Sequence, residues 1–284
     1  MTRALAVPFA GTRVTAADPL TWLRLTGAGA VLFGPGRAAL LSAARNGNRR
    51  RLHAMERRWA SAARRALDIR IDKAGFEHVD PTRQYVVTPL HEGFADVLCL
   101  LQLPLDLSFA ARDDLFEWRI LGPYLEASGQ ARIPTQEGAA AYRSMYRGAE
   151  RAFAADESFV VFPQGTILGI EAAFQPGAFR IAQRLGAPVL PVVITGTHRV
   201  WEHPYSPTVR TGVEVTIEVL APIPPDQVAE AAPGLERDMK QRALSSPNSP
   251  RRFDPVRDGW WDDYPYEIDP SFPDLADRVA EHRA

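Results

Sequence analysis

Apolar and polar positions follow two rhythms along this chain, and stretches of one alternate with stretches of the other. Leu52, Met55, Trp59, Ala62, Ala63 and Ala66 recur at three- and four-residue spacing and predict a helix over 48–67. Ile69-Arg70-Ile71 has the two-residue period of a short strand, and Gly75 and Asp80-Pro81 mark turns. Tyr85 to Thr88 reads as a buried strand ending at Pro89. Asp96 to Leu103 predicts an apolar helix, Leu105 to Ala110 a strand, and Leu115 to Leu121 a helix closed by Gly122-Pro123. Glu137 to Ala154 predicts a longer helix and Phe159 to Phe162 a third buried strand. Gly177 to Leu185 is helical, with Gly186 as its C-cap. Val189 to Thr195 is a continuous apolar strand, Val213 to Val219 alternates, and Gln227 to Leu244 closes the series as a helix.

Strands that are apolar on both faces belong to sheets covered by helices on both sides. The pattern therefore predicts a single α/β domain with a mixed, largely parallel central sheet flanked by helices. An N-terminal helical segment precedes it and a C-terminal tail follows. The expected boundaries are 1–47 for the N-terminal segment, 48–244 for the main domain and 245–284 for the tail. Ser245 to Pro250 has the composition of a linker. The tail is acidic and carries Trp260, Trp261, Tyr264 and Tyr266. Such aromatics are expected to pack on the domain's own surface; a partner-binding peptide is the other reading.

Composition narrows the function. The 284 residues can bury a real core, and a formal net charge of −1 supplies no global field for nucleic acid. Charge is nevertheless uneven. Residues 45–65 hold Arg45, Arg49, Arg50, Arg51, Arg57, Arg58, Arg64 and Arg65 against one acid, Glu56, whereas Lys73 and Lys240 are the only lysines. The single cysteine, Cys99, permits no disulfide within the chain, which fits a reducing compartment and excludes a cysteine-built zinc site. The opening MTRALAVPFAGTR does not read as a signal peptide, because its apolar stretch is short and broken by Pro8. Leu20 to Leu41 is interrupted by Arg24, Arg37 and Gly34-Pro35-Gly36, so it falls short of the ~20 apolar residues a crossing needs. Two readings of the N-terminal region stand: an interfacial segment followed by a basic cluster on an anionic bilayer, or a solvated helix face.

Two short segments carry candidate chemistry. Pro89-Leu90-His91-Glu92-Gly93-Phe94-Ala95-Asp96 places a histidine where a strand leaves the sheet, five residues before an aspartate at a helix start. Ligand clefts of α/β folds lie at such strand ends. A carboxylate at Asp96 can accept the Nδ1–H of His91, fix the tautomer and leave Nε2 as a base. The second segment, Phe159 to Thr166, is an apolar run that stops in Pro163-Gln164-Gly165-Thr166. The chain has no Gly-x-Ser-x-Gly elbow, and Cys99 sits in an apolar stretch as a core residue rather than a nucleophile. His91 with Glu92 and Asp106 does not make a metal-ligand spacing, so no metal is expected. His198, in Thr195-Gly196-Thr197-His198, is a cleft-lining candidate. His203 has no clear role.

These segments resemble the glycerolipid acyltransferase family, whose best-known members acylate lysophosphatidic acid. Its His-x4-Asp block is met by His91 and Asp96. Its Phe-Pro-Glu-Gly-Thr block is matched by Phe162, Pro163, Gly165 and Thr166. The phenylalanine and Gly-Ala pair that follow appear as Phe174 and Gly177-Ala178, and the proline-bearing apolar strand as Ala187 to Val192. Order and intervals agree over roughly residues 69–220. The resemblance implies acyl transfer from a thioester to a hydroxyl, with His91 as base and Asp96 as its orienter. Pro163, Gln164, Gly165 and Thr166 would line the acceptor site, with Phe94 and Phe162 as apolar walls and Arg132 as a basic contact. It implies no resident cofactor; acyl-CoA or acyl-carrier protein is a co-substrate. The expected partners are that donor, a lipid acceptor and a peripheral membrane contact, without nucleic acid, at the cytoplasmic inner face of a membrane.

The departures bear on the acceptor. The block's glutamate is Gln164, the arginine expected after its threonine is Ile167, and Gln175-Pro176 replaces a basic residue. The family's second block fits poorly over 129–136: strict alignment puts Gln136 at its arginine position, and Arg132 is a nearby substitute. Loss of charge-assisted contacts weakens phosphate binding. Three expectations follow: a glycerophospholipid acceptor held through Arg132 or Arg180; the same chemistry on a neutral, zwitterionic or glycolipid acceptor; or a degenerate lipid-binding member without catalysis.

Overall fold

A computed structural model of the protein describes residues 6–9, 12–16, 18–134, 138–167, 172–201 and 208–248. Strands β1 (Ala6–Phe9) and β2 (Thr12–Ala16) open the chain as an antiparallel pair. Helix α1 (Pro19–Leu32) starts at Asp18, whose carboxylate accepts the Thr21 N–H at 2.7 Å, and α2 (Pro35–Arg45) restarts after Gly34. The break read at Gly34-Pro35-Gly36 thus divides two helices. Helix α3 (Arg49–Ala66) is capped by Asn48. Then follow β3 (Arg70–Ala74), β4 (Val86–Pro89), α4 (Asp96–Leu100), β5 (Leu107–Arg112), α5 (Asp113–Phe116), α6 (Gly122–Ser128) and β6 (Ala131–Ile133). The chain continues through α7 (Ala139–Ala154), β7 (Ser158–Val160), α8 (Gly177–Leu185), β8 (Val189–Thr195), β9 (Thr208–Val209), β10 (Glu214–Val219) and α9 (Val228–Ser245). Gly186 caps α8 as expected.

The central sheet has seven strands in the order β3-β10-β8-β4-β7-β5-β6, and only the β10–β8 pairing is antiparallel. A small second sheet joins β1, β2 and β9. Every residue of β4 and β8 is buried, because each strand feeds both faces. Val87, Val160, Leu190, Val192 and Ile194 pack with Ala28, Ala60, Ala63 and Cys99 on the α1–α3–α4 side. Val86, Phe159, Val189 and Val193 pack with Ala149, Ala182 and Met239 on the α7–α8–α9 side. This is the mixed, largely parallel α/β architecture that the pattern of apolar runs predicts.

One boundary is corrected. Gly122-Pro123 does not close a helix over 115–121; it opens α6, with proline in the first turn. Proline lacks an N–H, so it terminates a helix when it follows one and initiates a helix when it occupies the first turn. The aromatic tail, Gln136 and His203 lie outside the described residues. No described helix is long and apolar enough to cross a membrane.

The arginine cluster is divided along α3. Arg49 bonds Glu157 and the Ser128 carbonyl, Arg57 bonds Asp106 at 2.6 Å, and Arg64 bonds the Ile69 carbonyl. Glu157 and Asp106 precede β7 and β5, so Arg49 and Arg57 grip the end of the sheet opposite the one where β4 delivers His91. His53 is buried there between two carboxylates, with Nδ1 2.7 Å from Glu56 and Nε2 2.7 Å from Glu157. Tyr124 of α6 donates its hydroxyl to Glu56. Burial pulls the His53 pKa down, but the bonds to Glu157 and Glu56 outweigh it and push it up to about 9.

A folded-state pKa above the unfolded value of ~6.5 stabilises the protein fully below that pH, and the contribution fades as pH rises through about 9. His53→Leu, which leaves Glu56 and Glu157 without their shared cation, is expected to cost about 3 kcal/mol near pH 6. Urea titrations of both proteins should show that difference shrinking toward pH ~9.5.

Candidate active site

Strands β4, β7 and β8 are adjacent and parallel, so the segments leaving their C-terminal ends converge. His91 lies just past β4. Its Nδ1 is 2.6 Å from Oδ2 of Asp96, the first residue of α4. Asp96 is wholly buried, and its carboxylate is saturated from four directions. Oδ2 accepts the His91 Nδ1–H and the backbone N–H groups of Glu92 (2.8 Å) and Gly93 (3.2 Å), while Oδ1 accepts the Thr197 hydroxyl. This donor set suits an ionised carboxylate and assigns the His91 proton to Nδ1. His91 keeps 18% of its side chain exposed, and its Nε2 makes no hydrogen bond among the described residues. An imidazole held in this way can accept a proton at Nε2.

Phe162, just past the end of β7, stacks on His91, with ring centroids 3.8 Å apart and planes 22° apart. The turn that follows therefore borders the same mouth. Pro163 and Gln164 are buried and Thr166 is half-buried, whereas Gly165 is exposed. Gly165 adopts φ +70, a conformation that other residues enter only with strain. The Pro163 carbonyl accepts the Gln175 N–H at 2.7 Å, which ties the turn to the residues before α8. Phe94, on the loop between His91 and Asp96, is exposed and packs with Trp118 (6.0 Å between centroids) and Trp201 (5.3 Å).

Arg132 stands apart from this group. It sits on β6, with β7 and β5 between it and β4. Its guanidinium engages Glu117 and Glu126 and lies 5.1 Å from the centre of the Phe116 ring. Cys99 is wholly buried, and burial, followed by the charge on Asp96, pushes its thiol pKa far up.

Residues 70–195 match the family model described as Acyltransferase. That match runs from β3 to the end of β8 and takes in His91, Asp96 and the turn over 163–166. Similar curated proteins are the 1-acyl-sn-glycerol-3-phosphate acyltransferases of Limnanthes alba (27% identical over 162 residues, 56% of each chain) and of Cocos nucifera (27% over 143 residues, 49% of this chain and 46% of that one). The chain spans about half the length of the curated relatives it matches. Among solved structures it is similar to the 1-acyl-sn-glycerophosphate acyltransferase PlsC from Thermotoga maritima. That likeness has a TM-score of 0.61 at 19% identity over 78% of this chain and 94% of that one, and it concerns the fold.

Sequence reasoning missed Thr197 as the fourth donor to Asp96. It also missed the contact of Glu92 with His198, whose Nδ1 lies 2.9 Å from Glu92 Oε2. The available signal was position: Thr197 follows the apolar β8 as closely as His91 follows β4.

Asp96→Ala strips the partner from four donors in a buried loop. It is expected to cost on the order of 3 kcal/mol of folding stability, measured by urea denaturation.

Proposed function

We propose that this protein transfers a fatty acyl group from an acyl thioester, acyl-CoA or acyl-carrier protein, to a hydroxyl of a lysophospholipid or related glycerolipid. His91 is the general base. The observation that carries this reading is the 2.6 Å contact of His91 Nδ1 with a buried, four-donor Asp96 at the C-terminal ends of parallel strands. The names of the similar curated proteins support the reaction class.

The step balances without a covalent enzyme intermediate. The acceptor oxygen attacks the thioester carbonyl carbon as its proton passes to His91 Nε2. The tetrahedral oxyanion collapses, the C–S bond breaks, and the imidazolium returns the proton to the leaving thiolate. Asp96 stabilises the imidazolium through Nδ1–H. General-base help is worth roughly 10²–10⁴ in rate; positioning and oxyanion stabilisation supply the remainder. Pro163 to Thr166 line the acceptor side, and Phe94 and Phe162 form apolar walls.

A second reading keeps this chemistry and changes the acceptor to a neutral, zwitterionic or glycolipid molecule. It is favoured by the pairing of Arg132 with Glu117 and Glu126, which leaves that cation committed, and by Gln164 and Ile167 beside the mouth. A panel of lysolipids with one labelled acyl-CoA tests both readings. Preference for lysophosphatidic acid eliminates the second. Absence of turnover with every acceptor and donor favours a binding-only member. In this assay His91→Ala is expected to lower turnover by roughly 10²–10⁴-fold.

The same proposal includes a peripheral contact with the inner face of a membrane, and the surface apolar residues support such a contact. Leu20 and Leu23 on one face of α1, Phe33 at its end, Phe94 and Ile120 are exposed large apolar residues. Phe94 packs with Trp118 and Trp201, and Trp201 packs with Leu25 of α1. Arg37 of α2 bonds the Ile120 carbonyl at 2.6 Å. Bilayer contact by this surface would bring the lipid acceptor to the His91 side of the sheet. Leu23→Ser with Phe94→Ser is expected to reduce sedimentation with anionic vesicles by roughly tenfold.

A further inference from the structure

Beside His91 and Asp96, the same loops hold a second imidazole–carboxylate contact that the proposed reaction leaves unused. Glu92 Oε2 accepts the Gly196 N–H at 2.9 Å and lies 2.9 Å from Nδ1 of His198. Both side chains are 2% exposed. The two carboxylates differ sharply in what surrounds them. Asp96 has four donors spread over both oxygens. Glu92 has its partners on Oε2 alone, and its buried Oε1 has no hydrogen-bonding partner among the described residues. An ionised carboxylate with one bare oxygen, buried next to another anion, is far more costly than a carboxylic acid in the same place.

The charged and titratable groups around Glu92 are His91, Asp96, His198 and Arg199. Burial first, and the Asp96 charge second, raise the Glu92 pKa well above the ordinary carboxyl range. The Gly196 N–H, Arg199 and His91 pull the other way without offsetting the rise.

We propose that Glu92 and His198 form an uncharged positioning pair. Glu92 keeps its proton, donates it from Oε2 to Nδ1 of His198, and pins the His91 loop to the Gly196–His198 turn without placing a second negative charge beside His91. The proposal rests on the reading of His91 as the base. Its consequence is chemical. Two ionised carboxylates around one imidazole would hold it protonated, and a protonated His91 cannot take the acceptor's proton. The pair also fixes the turn that carries Thr197, the hydroxyl that holds Asp96.

Histidine-labelled protein examined by NMR across about pH 5–8 tests this in wild type and Glu92→Gln, with pH–rate profiles for those two and Glu92→Ala. In wild type, His198 should remain neutral with its proton on Nε2. The His91 titration midpoint should coincide in wild type and Glu92→Gln. Glu92→Ala should lose roughly 10–100-fold in kcat with donor KM little changed, and Glu92→Gln, whose amide can serve only one of the two partners of Oε2, should recover part of that loss. A His91 midpoint lower by about one unit in Glu92→Gln would reveal a removed negative charge and overturn the proposal. Protonation of His198 at Nδ1 in wild type, or undiminished kcat in Glu92→Ala, would overturn it as well. The spectra need no turnover, so they decide the pair even if Glu92→Ala does not fold. Retained activity in His91→Ala would refute the base reading separately.

Discussion

The active end of this molecule depends on one buried carboxylate. Asp96 sits at the start of α4 with no exposure to water, where an anion is tolerated only if its lone pairs are taken up. They are taken up by two backbone N–H groups of its own loop, the His91 imidazole and the Thr197 hydroxyl. Each of those donors is thereby placed. The His91 tautomer, the path of residues 91–96 and the position of the turn after β8 are settled by a single charge. The stacked Phe162 then brings the end of β7 to the same point.

The sheet explains why these pieces meet. Parallel neighbours β4, β7 and β8 send their C-terminal ends the same way, and apolar side chains alternate between two helical layers along each strand. The opposite end is secured by different means. There, the imidazolium of His53 and the guanidinium of Arg49 share Glu157, so α3 is bonded to the entry of β7. One end of the sheet uses a charged network to join layers. The other uses a charged network to orient a reactive ring.

Much of this was legible in the sequence because it is local. Runs such as Val189 to Thr195 can be buried only between two helical layers, and His91 and Asp96 are close enough in the chain for their contact to be read from spacing. The arginines of α3 were legible as a cluster but not as ties, because their partners Asp106 and Glu157 are 49 and 108 residues away. The contacts of Thr197 with Asp96 and of His198 with Glu92 were hidden for the same reason, at 101 and 106 residues of separation. Gly122-Pro123 misled because this dipeptide marks a helix end and a helix start equally well, and only packing decides between them. Strands β1, β2 and β9 are too short for their periodicity to register.

Gly93 lies where the two loops touch. A Cβ there would stand 2.7 Å from the Thr197 carbonyl oxygen and 3.0 Å from the His198 nitrogen, both immovable backbone atoms. The loop between histidine and aspartate therefore has no slack to absorb an altered neighbour. Anyone building hybrids from distant relatives would have to exchange the stretch around 89–96 together with the stretch around 195–198, because either graft alone would meet a foreign peptide plane. The two distant segments thus behave as one structural unit.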